Sequence, residues 1–252
     1  MNRYAVKEMF RTIQGEGLRT GTVAVFVRFS GCNLWSGLAR VRDAGEGPCA
    51  KWCDTAFASG EPTELEDLLD QMEALWPMKP GETRWCVLTG GEPCLQINVD
   101  LVSYLKAAGW MVAVETNGTV LCPALVGVDH VCVSPKRGIK LEVKQATELK
   151  VVLPGAWEDK DGWTEDELEE VARSGEWEYL YIQPQDYLVR QNVVASTALV
   201  PREDGRTGKL GRGEIMQAHD KHRLAVEQCI AFVNDHPEWR LSLQTNKLVG
   251  LP

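Results

Sequence analysis

Two rhythms of apolar residues alternate along this chain, and their succession predicts its architecture. Short β-branched and aromatic runs at 4–10, Val23–Phe29, 84–89, 110–115, 130–134, 148–153, 179–183 and 239–244 read as strands. Between them, apolar positions at helical spacing predict helices. Leu65, Leu68, Leu69, Met72 and Leu75 follow a capping-box pattern at 63–66, and further helices are expected over 99–108, 164–173 and 214–234. Strand alternating with helix predicts an α/β fold, a mostly parallel sheet with right-handed crossovers curled into a partial, TIM-like β/α barrel. Polar segments follow the strand ends: the loop after Phe29, then Gly90-Gly91-Glu92, Glu115-Thr116-Asn117, Ser134-Pro135-Lys136, Gln183-Pro184 and Gln244-Thr245-Asn246-Lys247. In a parallel barrel those ends share one face, where a site is expected.

Composition narrows the picture. A chain of 252 residues with 44% hydrophobic content can build one sizeable core, so 1–252 is expected to be a single domain with a long loop at 30–55. An insertion at 187–216, rich in Arg, Gly and Pro, reads most simply as a surface loop. No stretch approaches the roughly 18 apolar residues of a membrane span and none resembles a secretory signal, so a soluble cytoplasmic protein is expected. Its eight cysteines are then expected reduced. A net charge of −9 argues against direct nucleic-acid binding.

The chemistry centres on Cys32, Cys49 and Cys53, three cysteines within 22 residues. A fourth ligand at comparable spacing is missing, since the next cysteine is Cys86 and the nearest histidine His130. A closed structural zinc site needs four protein ligands. A [4Fe–4S] cluster held by three thiolates leaves one iron open, able to chelate the amino and carboxylate groups of S-adenosylmethionine for radical chemistry. From the cysteines alone, buried thiols or an incomplete zinc site are equally good readings. Gly15 and Gly17 let backbone approach a ligand and project Gln14 and Glu16, or form a plain turn. The carboxylate of Glu92 beside Gly90-Gly91 is able to receive an ammonium group, with a turn again the simpler reading.

Taken together, Thr12-Ile13-Gln14-Gly15-Glu16-Gly17, the run Arg28 to Gly37 around Cys32, Cys53-Asp54-Thr55, Thr89-Gly90-Gly91-Glu92-Pro93, Glu115-Thr116-Asn117-Gly118 and Val133-Ser134-Pro135-Lys136 resemble the 7-carboxy-7-deazaguanine synthase family of radical S-adenosylmethionine enzymes. The resemblance runs to Asp186 and resumes from about Ala225. It implies a lyase of queuosine and 7-deazapurine biosynthesis that contracts the ring of 6-carboxy-5,6,7,8-tetrahydropterin to 7-carboxy-7-deazaguanine with release of ammonia. It also implies a homodimer that uses a [4Fe–4S] cluster, S-adenosylmethionine and Mg²⁺, with a flavodoxin- or ferredoxin-type electron donor.

Carried over residue by residue, the resemblance makes Cys32, Cys49 and Cys53 the cluster ligands and Thr55 a ligand of Mg²⁺, a hard oxygen for a hard ion. Trp52, Gly91, Glu92, Ser134, Pro135 and Lys136 would hold S-adenosylmethionine. Ile13, Gln14, Gly15, Arg28, Thr89, Gln183, Pro184, Gln185, Asp186, Asn246 and the terminal carboxylate of Pro252 would contact substrate, and Glu115 is the candidate catalytic residue. Asn246 stands where the family tends to carry histidine and cannot titrate. Two rivals share parts of this pattern. A radical activase acting on a partner protein would need neither the 12–17 loop nor Thr55, and a non-enzymatic zinc module would use the cysteines structurally.

Overall fold

Strand pairing begins with an antiparallel ladder and then turns parallel. In the computed structural model, which describes residues 3–49, 53–153, 162–187, 200–201, 207–208 and 212–251, β1 (Arg3–Ile13) runs antiparallel to β2 (Val23–Phe29), and β3 (Glu61–Glu64) joins the far side of β1. From β2 the sheet continues parallel through β4 (Arg84–Gly90), β5 (Trp110–Thr116), β6 (His130–Val133), β7 (Gln145–Leu153) and β8 (Glu176–Pro184). Two-residue strands β9 (Val200–Pro201) and β10 (Thr207–Gly208) pair separately, and β11 (Trp239–Leu241) completes the main sheet beside β8. The nine-stranded order β11-β8-β7-β6-β5-β4-β2-β1-β3 leaves β11 and β3 as edges. The expected mostly parallel α/β sheet is present, and its ladder stays open rather than closing into a full barrel.

Among the described residues the α-helices are α1 (Ala39–Ala44), α2 (Leu65–Leu75), α3 (Val99–Ala107), α4 (Glu165–Arg173), α5 (Arg212–Asp235) and α6 (Thr245–Leu248). Alternate residues of the strands meet them, as the two-residue side-chain period requires. Val25, Val27, Phe29, Leu88, Val112 and Val114 form one buried cluster with Leu68 and Met72 of α2 and Leu101 and Leu105 of α3. Val133, Leu149, Val151, Leu153 and Ile182 form another with Leu168 of α4 and Phe232 of α5. Each such fully buried side chain contributes roughly 1.5–3 kcal/mol. The intervening residues point to the other face and carry the chemistry: Arg28 lies opposite Thr89 and Glu115 opposite Cys132 in the ladder, with Lys150 and Gln183 farther along.

That concave face is bridged by the β1–β2 connection. Gln14 Nε2 donates to Glu115 Oε1 at 2.8 Å, the Leu18 amide to Glu148 Oε2 on β7 at 2.8 Å, and the Gly17 amide to Ser242 Oγ beyond β11 at 2.9 Å. Arg19 lies over the Trp85 ring, 3.7 Å from its centroid. The glycine-containing hairpin turn expected of this segment is present, joining antiparallel β1 and β2 and closed by hydrogen bonds between Gln14 and residues 21 and 22. Its contacts make it in addition a strut from the antiparallel end of the sheet to the far parallel strands.

Other departures have local causes. Thr63 pairs with Tyr4 in the β1–β3 ladder and its hydroxyl donates to Glu61 O at 3.2 Å, so the capping box at 63–66 does not form and α2 starts after Glu64. The loop at 30–55 contains α1, which its polar composition did not announce. Strand β11 ends at Leu241, short of the expected Gln244: the Ser242 amide still donates to Ile182 O at 2.9 Å and its hydroxyl to Gln183 Oε1 at 2.7 Å, after which the chain coils into α6. Most of the expected insertion, 188–199, 202–206 and 209–211, lies outside the described residues.

Arg84, 0% exposed, ties the helix ends to the sheet. Nη1 reaches Glu73 at 2.7 Å and the Trp76 carbonyl at 3.0 Å, while Nη2 reaches the Ala108 carbonyl at 2.8 Å. Those carbonyls belong to the C-caps of α2 and α3, where the helix itself supplies no donor. Arg84→Leu is therefore expected to cost about 3 kcal/mol in urea unfolding, from carbonyls stranded in the core and a lost charge pair. A loss below about 1 kcal/mol would show that these carbonyls find other partners.

Candidate active site

A cavity of about 460 Å³ opens on the concave face. One end is walled by Cys32, Cys49 and Cys53, the other by Gln14, Arg28, Thr89 and Glu115. The cysteine end rests on a small core of its own, in which Trp35 and Phe57 meet edge to face at 5.3 Å beside Cys49. Its loop is tied to the end of β5 by Asn33, whose Oδ1 accepts from Asn117 Nδ2 at 3.1 Å and whose Nδ2 donates to Thr119 at 2.8 Å.

Glycine makes the junction of β2 and β4 possible. A Cβ on Gly91 would fall 2.1 Å from the Gly31 carbonyl and 2.8 Å from Cys32 Cβ, while Gly90 adopts φ +138° with Phe29 O where a Cβ would stand. Glu92 follows, 0% exposed, accepting from the Cys94 amide (2.9 Å), Thr116 Oγ1 (2.7 Å) and the Asn117 amide (2.7 Å). These donors knit the turn after β4 to the end of β5, and Glu92 does not line the cavity.

Electrostatics differ between the ends. Burial pushes the Cys49 thiol up to about 12, with Lys136 pulling the other way, and burial raises Cys32 as well. Burial lowers the pKa of Lys136 while Cys49 and Cys53 oppose that shift, and its Nζ donates to Ser134 O at 2.7 Å and Oγ at 2.9 Å. At the other end Glu115 accepts from Gln14 and, at 3.3 Å, from Thr89 Oγ1, and Arg28 Nε pairs with Glu8 at 2.7 Å. Lys247 of α6 joins Asp54, just past Cys53, at 2.6 Å and Asp186, after β8, at 3.6 Å. Gly15 lets α6 dock: its carbonyl accepts from the Thr245 amide at 3.0 Å, and a Cβ there would stand 2.6 Å from the Asn246 amide.

The structure brings most of the sequence-derived candidates to this one cavity: Ile13, Gln14, Gly15, Arg28, Cys32, Cys49, Cys53, Thr55, Thr89, Gly91, Glu115, Ser134, Lys136, Gln183, Gln185, Asp186 and Asn246 all line it. Pro135 and Pro184 are buried behind it, as is Glu92. Trp52 and Pro252 lie outside the described residues. The residues that sequence reasoning left unassigned are Glu8, Asp54, Lys247 and, above all, Glu16 and Lys150, which form a part-buried ion pair in the cavity wall. A lysine interrupting the apolar run of β7 was the available signal for that pair.

Compared with known proteins, the chain is 40% identical to the 7-carboxy-7-deazaguanine synthase of Nitratidesulfovibrio vulgaris, over 99% of both chains. It is 39% identical to that of Caulobacter vibrioides and 38% to that of Burkholderia multivorans, again over 99% of both. Among solved structures, QueE from Escherichia coli superposes with a TM-score of 0.59 at 25% identity, covering 96% of this chain and 93% of that one. No protein-family model matches the chain.

The two glycine contacts separate the two ends experimentally. Gly91→Ala is expected to displace the cysteine loop and lower the iron bound per chain on reconstitution. Gly15→Ala is expected to lower unfolding free energy by about 1–3 kcal/mol through overpacking against α6, with iron loading unchanged. Normal iron loading in Gly91→Ala would mean that the loop does not depend on this approach.

Proposed function

The chain belongs to the 7-carboxy-7-deazaguanine synthase family, and from that premise we propose that it converts 6-carboxy-5,6,7,8-tetrahydropterin to 7-carboxy-7-deazaguanine with release of ammonia, acting as a radical S-adenosylmethionine lyase. The observation that carries the reading is the single cavity, which sets three thiols at one end and a row of carboxylate, guanidinium and amide groups at the other.

The donor set suits the implied cofactor. Cys32, Cys49 and Cys53 line the same cavity and belong to one small packed cluster with Trp35 and Phe57. Three thiols so grouped suit a polynuclear cluster in which three irons each take one thiolate. Cys32, Cys49 and Cys53 would hold the [4Fe–4S] cluster, and the raised thiol pKa of Cys49 means that a proton leaves when iron binds. The edge at Gly91, with Ser134 and Lys136, would hold S-adenosylmethionine, and Trp52 its adenine. When bound, cluster and S-adenosylmethionine supply the radical chemistry that removes a hydrogen atom from an unactivated carbon.

The chain's own residues bind and orient the substrate. Arg28, its Nε anchored by Glu8, is the partner for the substrate carboxylate. Gln14, Glu115 and Thr89 form a connected hydrogen-bonding set against the pterin ring, so that its reacting carbon is held in one orientation. Glu115 is the group placed to accept or return a proton there. Gln183, Gln185 and Asp186 close the far wall and limit water, and Thr55 would ligate Mg²⁺ beside the carboxylate, a templating role. Glu92 acts through the loops it fixes. The whole chain, 1–252, works as one domain, as a homodimer supplied with electrons by a flavodoxin- or ferredoxin-type protein in the cytoplasm. No helix among the described residues is long and apolar enough to cross a membrane, and the eight cysteines are in the thiol form.

Anaerobic incubation of reconstituted protein with S-adenosylmethionine, reductant, Mg²⁺ and the carboxytetrahydropterin tests the reading, with the product identified by mass. The deazaguanine is expected, together with loss of cluster absorbance and turnover in Cys49→Ala but not in Cys229→Ala. Thr55→Ala is expected to need more Mg²⁺ while keeping its cluster. Turnover by Cys49→Ala, or no deazaguanine from wild type, would refute the proposal.

A further inference from the structure

Lys150 is a charged side chain placed where charge is costly. It sits on β7 facing the cavity and is 4% exposed. Packing alone does not call for it, since its neighbours Leu149 and Val151 point to the other face and supply the core contacts of the strand. Its ammonium pairs with Glu16 Oε2 on the strut, while Gln244 Nε2 donates to Glu16 Oε1 at 2.6 Å. Glu16 is thus held from two sides, by a strand and by the segment leading into α6.

We propose that Lys150 is a positioning residue that fixes Glu16 as the carboxylate acceptor for the N–H donor edge of the pterin, an assignment that rests on the substrate proposed above. Each carboxylate oxygen has two lone-pair directions, so Lys150 and Gln244 leave both oxygens with acceptor capacity toward the cavity. A pterin presents adjacent N–H groups on its pyrimidine edge, and a carboxylate can take two such donors side by side. Without Lys150 the carboxylate would be held by Gln244 alone and would take up a proton more readily.

The charges around the pair give the assignment a pH signature. Burial would raise the pKa of Glu16, but Lys150, the Gln244 hydrogen bond and Lys247 bring it down to about 2. Burial would lower that of Lys150, yet Cys132 on β6, Glu16, Glu115 on β5 and Glu148 on β7 together raise it. Lys136 is a further cation near Lys150. In wild type Glu16 therefore stays ionised across the working pH range. Replacing Lys150 with an uncharged residue removes the first of the groups that oppose burial at Glu16 and leaves only the Gln244 hydrogen bond and Lys247 against it, so the balance moves toward the protonated acid and affinity for the donor edge falls as pH falls.

The test uses reconstituted holoenzyme and compares wild type, Lys150→Met and Glu16→Gln. Readouts are kcat and KM from about pH 5.5 to 8.5 and equilibrium binding of the carboxytetrahydropterin to unreduced, S-adenosylmethionine-loaded protein. Wild type is expected to bind with little pH dependence. Lys150→Met should raise KM and Kd roughly tenfold or more at neutral pH, increasingly toward pH 5.5, with a smaller change in kcat. Glu16→Gln should lose similar affinity with no added pH slope, and it carries the test if Lys150→Met does not fold. Unchanged binding in either variant, or a Lys150→Met loss without its acid slope, would overturn the assignment. Wild-type protein that binds no pterin would instead overturn the substrate reading.

Discussion

An open sheet with a polar concave face has to be spanned by something other than strand pairing, and in this protein the span is the strut between β1 and β2. Its fixings are side chains that the parallel strands point inward: Glu115 receives Gln14, Glu148 receives the Leu18 amide, and Lys150 receives Glu16. Buried carboxylates and a buried ammonium are weak stabilisers, because the cost of removing them from water offsets much of their attraction. Their value here is geometric. They hold one segment at a fixed height above the sheet, and that height defines the cavity.

The two ends of the cavity obey different rules. At the cysteine end, backbone approaches backbone: Gly90 and Gly91 let β4 finish against β2, so the thiol-bearing loop is located by main-chain contacts that leave little freedom. At the strut end, side-chain charge does the locating, and α6 is brought in through Lys247, which links Asp54 to Asp186. Lys247 therefore couples the ends, because Asp54 adjoins Cys53 while Asp186 terminates the wall assigned to substrate. Glu92 shows how close the functional and the structural lie. Its carboxylate is committed to three donors from Cys94, Thr116 and Asn117, which fixes the loops from which the cofactor-facing groups project.

Much of this was legible in the sequence, and the reasons are physical. Strands such as Val23–Phe29 and 110–115 stood out because apolar β-branched residues carry the two-residue period. The site face followed from polar segments that close each parallel strand, a rule of topology rather than of any one residue. Spacing and motif brought Cys32, Cys49, Cys53, Arg28 and Thr89 to one cavity. The antiparallel start was legible only through the glycines at 15 and 17, which read as a hairpin turn, since Tyr4 to Phe10 has the same local pattern whichever way its partner runs. Nor were the start of α2, where the β1–β3 ladder overrides a good capping sequence at Thr63, and the pairing of Glu16 with Lys150, 134 positions apart. Local pattern reports what a residue prefers. It does not report which distant charge will meet it.

The central claim is that one cavity brings the cluster and the substrate into contact range. Electron paramagnetic resonance of the reduced, reconstituted protein measures this most directly, because the spectrum of the cluster responds to what stands on and beside its open iron. The account predicts one change of spectrum when S-adenosylmethionine is added and a second, smaller one when 6-carboxy-5,6,7,8-tetrahydropterin follows. A cluster spectrum indifferent to both would contradict it.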